Sequence, residues 1–309
     1  MKFLILGHTG FVGKNLMTHL TNLGHDVAGV STEGCDLREY DNVARILQTL
    51  TPLDAVFNCA ANVGSVHYVT KYAADVITDN TQMALNLYKA VTAYAPETVI
   101  INPLSNCCYA DGSLLQDERE WLSGPVHHSV FSFGNFKRVL YYISKCYDIQ
   151  HGTRTVNLML PGIYGPGDST DPNKVHALNG MIIRMLECQK EKQANFGIWG
   201  TGEPVREWIY IDDVCKIMTT AAENTGDVIE PINIAQGDGS SIKQTAEFIA
   251  TALEFDGDLT FNTDYQDGAA IKILKTGKFT ETFGDFDFYD HQEGIRNTVD
   301  YYREVLYGE

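Results

Sequence analysis

Short apolar runs and longer amphipathic stretches alternate through the first half of the chain. Phe3–Leu6, Asp26–Val30, Ala55–Cys59, Thr98–Asn102 and Thr155–Met159 are β-branched or apolar runs of strand length. Between them, apolar positions recur at helical spacing near residues 12–23, 41–50, 81–94 and 134–149. Such alternation predicts an α/β fold with a doubly wound parallel sheet. After Tyr164-Gly165-Pro166 the regular alternation stops. A helix near 178–191, a loop Trp199–Glu207, a helix from Asp212 and another from Ser241 predict a smaller C-terminal lobe mixed with returning strands. The expected division is discontinuous. Residues 1–165, with returning segments near 207–236, form the larger unit, and residues 166–206 and 237–309 form the lobe.

Composition narrows the classes. With 309 residues and 44% apolar content, the chain can bury a large core. A net charge of −17 argues against general affinity for nucleic acid or anionic membranes. A local basic pocket is compatible with it. There is no run of about 18 apolar residues, so no membrane span is expected. Met1–Gly7 is too short for a signal peptide. Seven cysteines (Cys35, Cys59, Cys107, Cys108, Cys146, Cys188, Cys215) form no CxxC pair. An odd number without that spacing favours reduced thiols in a cytoplasmic enzyme over disulfides or a metal site. Asp212-Asp213 has the look of a metal pair, but a cap on the following helix is the simpler reading.

Gly7-His8-Thr9-Gly10-Phe11-Val12-Gly13 follows the first strand directly and opens a helix. A dinucleotide site needs glycine at these three places: for the turn, for approach of the pyrophosphate, and for helix–strand contact. The phosphates then face the helix N-terminus. At the end of the second strand, Val30-Ser31-Thr32 offers neither a carboxylate for a ribose hydroxyl nor an arginine for a 2′-phosphate. NADP is favoured, with NAD left open, and Asp36-Leu37 fits an adenine contact.

With these motifs in place, the chain resembles the extended short-chain dehydrogenases of the sugar-nucleotide epimerase/dehydratase type. Its strongest likeness is to the GDP-L-fucose synthase group, the 3,5-epimerase/4-reductases. The resemblance runs from residue 3 almost to the C-terminus. It is carried by Gly7–Gly13, Cys59-Ala60-Ala61-Asn62-Val63-Gly64, Ser105-Asn106-Cys107-Cys108-Tyr109, Ile163-Tyr164-Gly165-Pro166 and Pro172-Asn173-Lys174-Val175-His176. Trp199-Gly200-Thr201-Gly202-Glu203-Pro204-Val205-Arg206-Glu207 is its most specific segment. The resemblance implies a Rossmann fold, a nucleotide-sugar substrate with GDP favoured, and a homodimer. By the same resemblance Ser105 is a catalytic serine, Lys137 a lysine on the nicotinamide ribose, and Cys107 with His176 an epimerisation pair. Ala60, Ala61 and His176 would also line the cofactor, and Arg184, Trp199 and Arg206 would hold the nucleotide sugar. Taken alone, Cys107 is as readily a small buried hydrophobe, and His176 a solvated loop histidine. Tyr109 reads equally as core or as the rim of a site.

One position departs. In Phe133-Gly134-Asn135-Phe136-Lys137, phenylalanine stands where the group keeps its proton-donating tyrosine. Tyr141 and Lys145 fit the same spacing formally, but eight residues of helix carry them about 12 Å and roughly 80° away. Other departures are Asn106, Gly162 and Tyr265, the last standing where a lysine is expected near the nucleotide. Three accounts of Phe133 are open: an engineered replacement, a natural homologue that epimerises but barely reduces, or a substitute donor among His127, His128 and Tyr109. The alternatives for the whole chain are another nucleotide-sugar epimerase or oxidoreductase without 4-reductase activity, and a catalytically silent dinucleotide-binding homologue.

Overall fold

A computed structural model describes residues 1–113, 115–224, 230–265 and 267–308. Six parallel strands form the central sheet, in the order Ile232–Asn233, Thr155–Leu160, Val99–Ser105, Ala55–Asn58, Lys2–Leu6 and Asp26–Val30. Alternate residues of the first strand feed opposite faces. Phe3 and Ile5 enter one apolar cluster, and Leu4 and Leu6 enter the other. Both faces are therefore covered, which is the condition for an all-parallel sheet. The predicted doubly wound α/β architecture is the observed one.

Buried asparagines tie neighbouring strands together. Asn58 donates to Asn102 Oδ1 at 3.0 Å, Asn102 to Asn157 Oδ1 at 3.1 Å, and Asn157 to Ser144 Oγ at 3.1 Å. A slip of one residue would leave these amides unpaired in the core, so the row fixes register. Its last bond reaches the helix Phe131–His151 and fastens that helix to the sheet.

Element boundaries differ from expectation in instructive places. The helix expected near 81–94 runs Ala73–Tyr94, starting about two turns earlier. Its first turns carry Asp75, Asp79 and Asn80, which mask the apolar spacing; Asn80 is buried and bonds Asn62 on both sides. The expected loop Trp199–Glu207 holds the end of strand Asn195–Trp199 and the two-residue strand Val205–Arg206. Asp212 and Asp213 lie inside the first turn of helix Ile211–Glu223, whose N-cap is Tyr210, so neither is the cap. Asp213 is instead fully buried, accepting from Tyr289 N at 2.8 Å and pairing with Lys216 at 3.3 Å. The helix His291–Tyr307 corresponds to none of the expected elements. Beside the main sheet, Ser240–Ser241, Val205–Arg206, Ile271–Leu274 and Leu115–Gln116 make a four-stranded sheet. The stretch 225–229, within the segments expected to return near 207–236, lies outside the described residues. No helix among the described residues is long and apolar enough to cross a membrane.

Candidate active site

The chain reverses direction across the sheet between its first and third strands, which opens a crevice at their C-terminal ends. Gly7, at φ +78°, turns the chain there and donates to Val30 O at 2.9 Å. A Cβ on Gly7 would stand 2.7 Å from Ala60 Cα, and one on Gly13 would run into the Gly7 carbonyl oxygen. The helix Phe11–Asn22 follows, with Gly10 as an N-cap that has no side chain to cap it. Its first N–H groups remain for an anion. Thr9 and Gly10 are exposed, and Phe11, Val12, Ala60 and Ala61 are half-buried around the turn. A cradle that any Cβ would fill, opening onto an uncapped helix, fits a dinucleotide. Beyond it Leu37 is buried. The Asp36 carboxylate is gripped by Arg38 at 2.8 and 3.0 Å, and these hydrogen bonds hold its carboxyl below the usual range. Arg38 also reaches Asp79 at 3.5 Å, so this arginine is committed to carboxylates.

The strand Val99–Ser105 ends at the same edge. Ser105 Oγ accepts from Cys107 N at 3.2 Å, which leaves its hydroxyl proton for another acceptor. Cys107 is half-buried in the turn Asn106–Cys108. The helix Phe131–His151 crosses this turn closely, and a Cβ on Gly134 would stand 2.5 Å from Cys107 O. Arg138 fastens the crossing by donating to the carbonyls of Cys108, Trp121 and Gly124, each at 2.8 Å. Lys137 is thereby brought within electrostatic reach of Cys107, with Phe133 one turn before it on the same helix. Lys137 is 6% exposed, and its Nζ donates to Pro103 O at 2.6 Å. Burial pushes its ammonium down to about 8, against the pull of the neighbouring Cys108, Cys59 and Cys107 thiols. The same Nζ lies 5.2 Å from the ring centroid of Phe133. A bare phenyl ring therefore occupies the side of the ammonium where a phenol could be activated.

The other donors are placed differently. Tyr141 and Lys145 both bind the Glu230 carboxylate, at 2.9 Å each, away from this turn. Tyr109 is buried and donates to Asn233 Oδ1 at 2.7 Å, so it belongs to the core and not to the rim of the site. His128 is exposed. His127 is half-buried, its Nδ1 2.8 Å from Ser129 Oγ, and it stands within electrostatic reach of Asp111, Lys272 and Arg206.

His176 caps no amide with its ring, although it is the N-cap residue of helix Ala177–Lys190. Its ring packs 5.3 Å from that of Phe11, at the start of the glycine-bounded helix. Its Nδ1 lies 3.0 Å from Asp168 Oδ2, a buried carboxylate that nothing in the sequence had singled out. Among the described residues no hydrogen bond or ring contact joins His176 to Cys107.

Of the residues expected on the nucleotide sugar, Arg184 and Trp199 are in contact. The Arg184 guanidinium sits 4.7 Å from the Trp199 ring, and Trp199 stacks on Tyr265 at 5.1 Å and 18°. Both aromatics are largely exposed, at 61% and 49%. Asp267, also missed from sequence, holds Thr201 through N at 2.9 Å and Oγ1 at 2.6 Å. Arg206, half-buried, donates to Val205 O at 2.7 Å and bears electrostatically on both Asp267 and Cys107. Burial lowers the pKa values of Arg184 and Arg206, against the pull of Glu187 on the first and of Cys107 and Asp267 on the second. Glu207 fixes the Arg206 strand. It accepts from Gln236 N, Gly237 N and Leu274 N at 2.7, 3.0 and 2.8 Å, while burial pushes its carboxyl up to about 7.

This arrangement has relatives along its whole length. A probable GDP-L-fucose synthase 1 of Oryza sativa subsp. japonica is 28% identical over 305 residues, spanning 98% of this chain and 92% of the relative. Two solved structures share the fold. A GDP-L-fucose synthetase from Naegleria fowleri bound to NADP superposes with a TM-score of 0.86 at 23% identity, covering 98% of this chain and 92% of that one. A GDP-6-OMe-4-keto-L-xylo-heptose reductase from C. jejuni gives 0.88 at 21% identity, with 98% of each chain covered. The sequence profile described as "NAD dependent epimerase/dehydratase family" matches residues 3–235, and the chain belongs to that family.

Proposed function

We propose that this protein binds NADP and epimerises a GDP-linked 4-keto-6-deoxyhexose at C3 and C5, and that it reduces C4 only weakly. Relatives along the full length of the chain support the substrate class, and the NADP-bound Naegleria fowleri neighbour supports the cofactor. When bound, the dinucleotide supplies hydride chemistry. Gly7, Thr9, Gly10, Phe11, Val12 and Gly13 would hold its phosphates, Asp36, Leu37, Ala60 and Ala61 its adenosine side, and Lys137 and His176 its nicotinamide side.

The chain's own residues carry the epimerisation. Arg184, Trp199 and Arg206 hold the nucleotide and diphosphate and so fix the sugar ring. One of Cys107 and His176 removes the proton α to the C4 ketone, and the bond electrons pass to O4. The Ser105 hydroxyl donates to that oxygen as charge develops. The other residue of the pair returns a proton to the opposite face, which inverts the carbon. A thiol and an imidazole suit this exchange because both can change protonation near neutral pH.

The observation that carries the reading is that buried Lys137, within electrostatic reach of Cys107, lies 5.2 Å from the centroid of a ring without a hydroxyl. Proton exchange needs only groups that are present, whereas protonation of a reduced O4 lacks its donor. With GDP-4-keto-6-deoxymannose and NADPH, the expected products by NMR are 4-keto epimers, accumulating ahead of any 4-hydroxy sugar. Substrate that is bound and recovered unaltered would show a silent homologue instead. Rapid conversion to the 4-hydroxy sugar would show that another group donates the proton.

A further inference from the structure

We infer that Asp168 is a positioning residue for His176, forming with it a carboxylate–imidazole dyad that makes Nε2 the working nitrogen. The inference deepens the epimerase reading above and rests on it for its kinetic arm. Asp168 is 6% exposed, and its two oxygens are fully engaged. Oδ1 accepts from Ser169 N at 2.8 Å. Oδ2 accepts from His176 N at 2.8 Å and Asn179 Nδ2 at 3.0 Å, and it lies 3.0 Å from His176 Nδ1. An ionised carboxylate only accepts, so His176 Nδ1 must carry a proton there, and in the neutral ring Nε2 is the nitrogen with the lone pair. The imidazole side chain is 40% exposed while the carboxylate side chain is 3% exposed, so the pair has a buried anchor and an accessible end. Burial alone would raise the Asp168 carboxyl; the hydrogen bonds from His176 and Asn179 outweigh it and keep the group ionised. The other titratable group facing this carboxylate is the buried Tyr302 phenol of the helix His291–Tyr307, which burial and the Asp168 charge together keep protonated.

The chemical consequence concerns charge. When Nε2 takes a proton from the carbon next to the ketone, the ring becomes an imidazolium, and the buried carboxylate beside Nδ1 stabilises it. Anchoring also fixes the ring plane, because Asp168 holds the backbone and the side chain of the same residue. Asn179 ties the dyad to the fold, since its Oδ1 accepts from Gly165 N at 3.2 Å.

A carboxylate that merely shapes the 168–176 turn would give the same hydrogen bonds, so the test separates the two roles. Asp168→Asn keeps the shape and removes the charge. With GDP-4-keto-6-deoxymannose in D₂O, we expect deuterium entry at C3 and C5 to slow by about 10–100-fold, with KM within about twofold of the parent. Both carbons are affected because His176 serves as one of the two proton-transfer groups at each. Unchanged exchange, or a loss confined to KM, overturns the inference. A second measurement needs no turnover. Nitrogen-15 NMR of the free protein should find His176 Nδ1 protonated, and in Asp168→Asn that proton should move upfield as its charged acceptor disappears. An Nε2–H tautomer in the parent protein overturns the dyad. If the parent shows no exchange at either carbon with substrate bound, the epimerase reading fails and the NMR result alone decides the dyad.

Discussion

At the scale of single residues, the chemistry turns on Phe133 and Lys137. Restoring the phenol in Phe133→Tyr places a donor beside the Lys137 ammonium, 5.2 Å from the present ring centroid. Reduction at C4, followed as NADPH oxidation, is expected to rise by about 10²–10⁴-fold, the usual worth of a positioned general acid. An unchanged rate would mean that the missing hydroxyl does not limit reduction. Lys137 makes a second prediction. An ordinary lysine titrates near 10.5, whereas burial brings Lys137 to about 8. Between those values the unfolded chain keeps a proton that the folded chain has shed, so stability should rise as pH climbs from about 8 to about 10.5. Lys137→Met should abolish that slope, gain roughly 1–3 kcal/mol at neutral pH, and weaken dinucleotide binding. Urea unfolding across this window, with NADPH titration of both proteins, checks it; a flat profile in the parent would contradict the buried ammonium. The spacing of Phe133 and Lys137 was legible in the sequence because four residues of helix share a face. Asp168 and Asp267 were not, because each acts through partners brought together by loops, and loops carry no period.

At the scale of elements, the glycine turn, the strand end at Ser105 and the helix Phe131–His151 behave as one support. Arg138 and Gly134 press the helix onto the Cys107 turn, and the Asn58–Asn102–Asn157–Ser144 row ties it to the sheet. Asn102→Ala would strand partners on Asn58, Tyr88 and Asn157 inside the core. A loss of about 2–4 kcal/mol is expected in denaturant unfolding, and a loss below ~0.5 kcal/mol would show that the row is dispensable. Glu207→Ala would release three backbone N–H groups and free the strand of Arg206. It should cost on the order of 3 kcal/mol and raise KM for the nucleotide sugar. Unaltered melting and KM would place the support of Arg206 elsewhere. The parallel strands were legible because their apolar runs are continuous. The two-residue strand Val205–Arg206 was hidden in a glycine-rich polar stretch, where pairing is decided by distant partners. The helix His291–Tyr307 was hidden for another reason: only Gly294, Ile295, Thr298, Val299 and Tyr302 are buried, a narrow stripe in a polar segment.

At the scale of the whole molecule, two halves of one reaction are separable. On the proposed reading, the groups for proton exchange are divided between the strand end, the 168–176 turn and the Arg206 strand. The helix Phe131–His151 carries a phenyl ring where that reading needs a proton donor. Motif and spacing made the fold and the cofactor end readable, since a strand, three glycines and a helix occur in order. How the substrate side assembles was not readable, because Arg184, Trp199 and Tyr265 meet only through tertiary contacts. The most direct test counts both halves in one vessel. With GDP-4-keto-6-deoxymannose and NADPH in D₂O, deuterium entering C3 and C5 should exceed NADPH oxidised by about 10²-fold or more. Stoichiometric oxidation of NADPH, or no deuterium entry with substrate bound, would contradict an epimerase that has lost its reductase step.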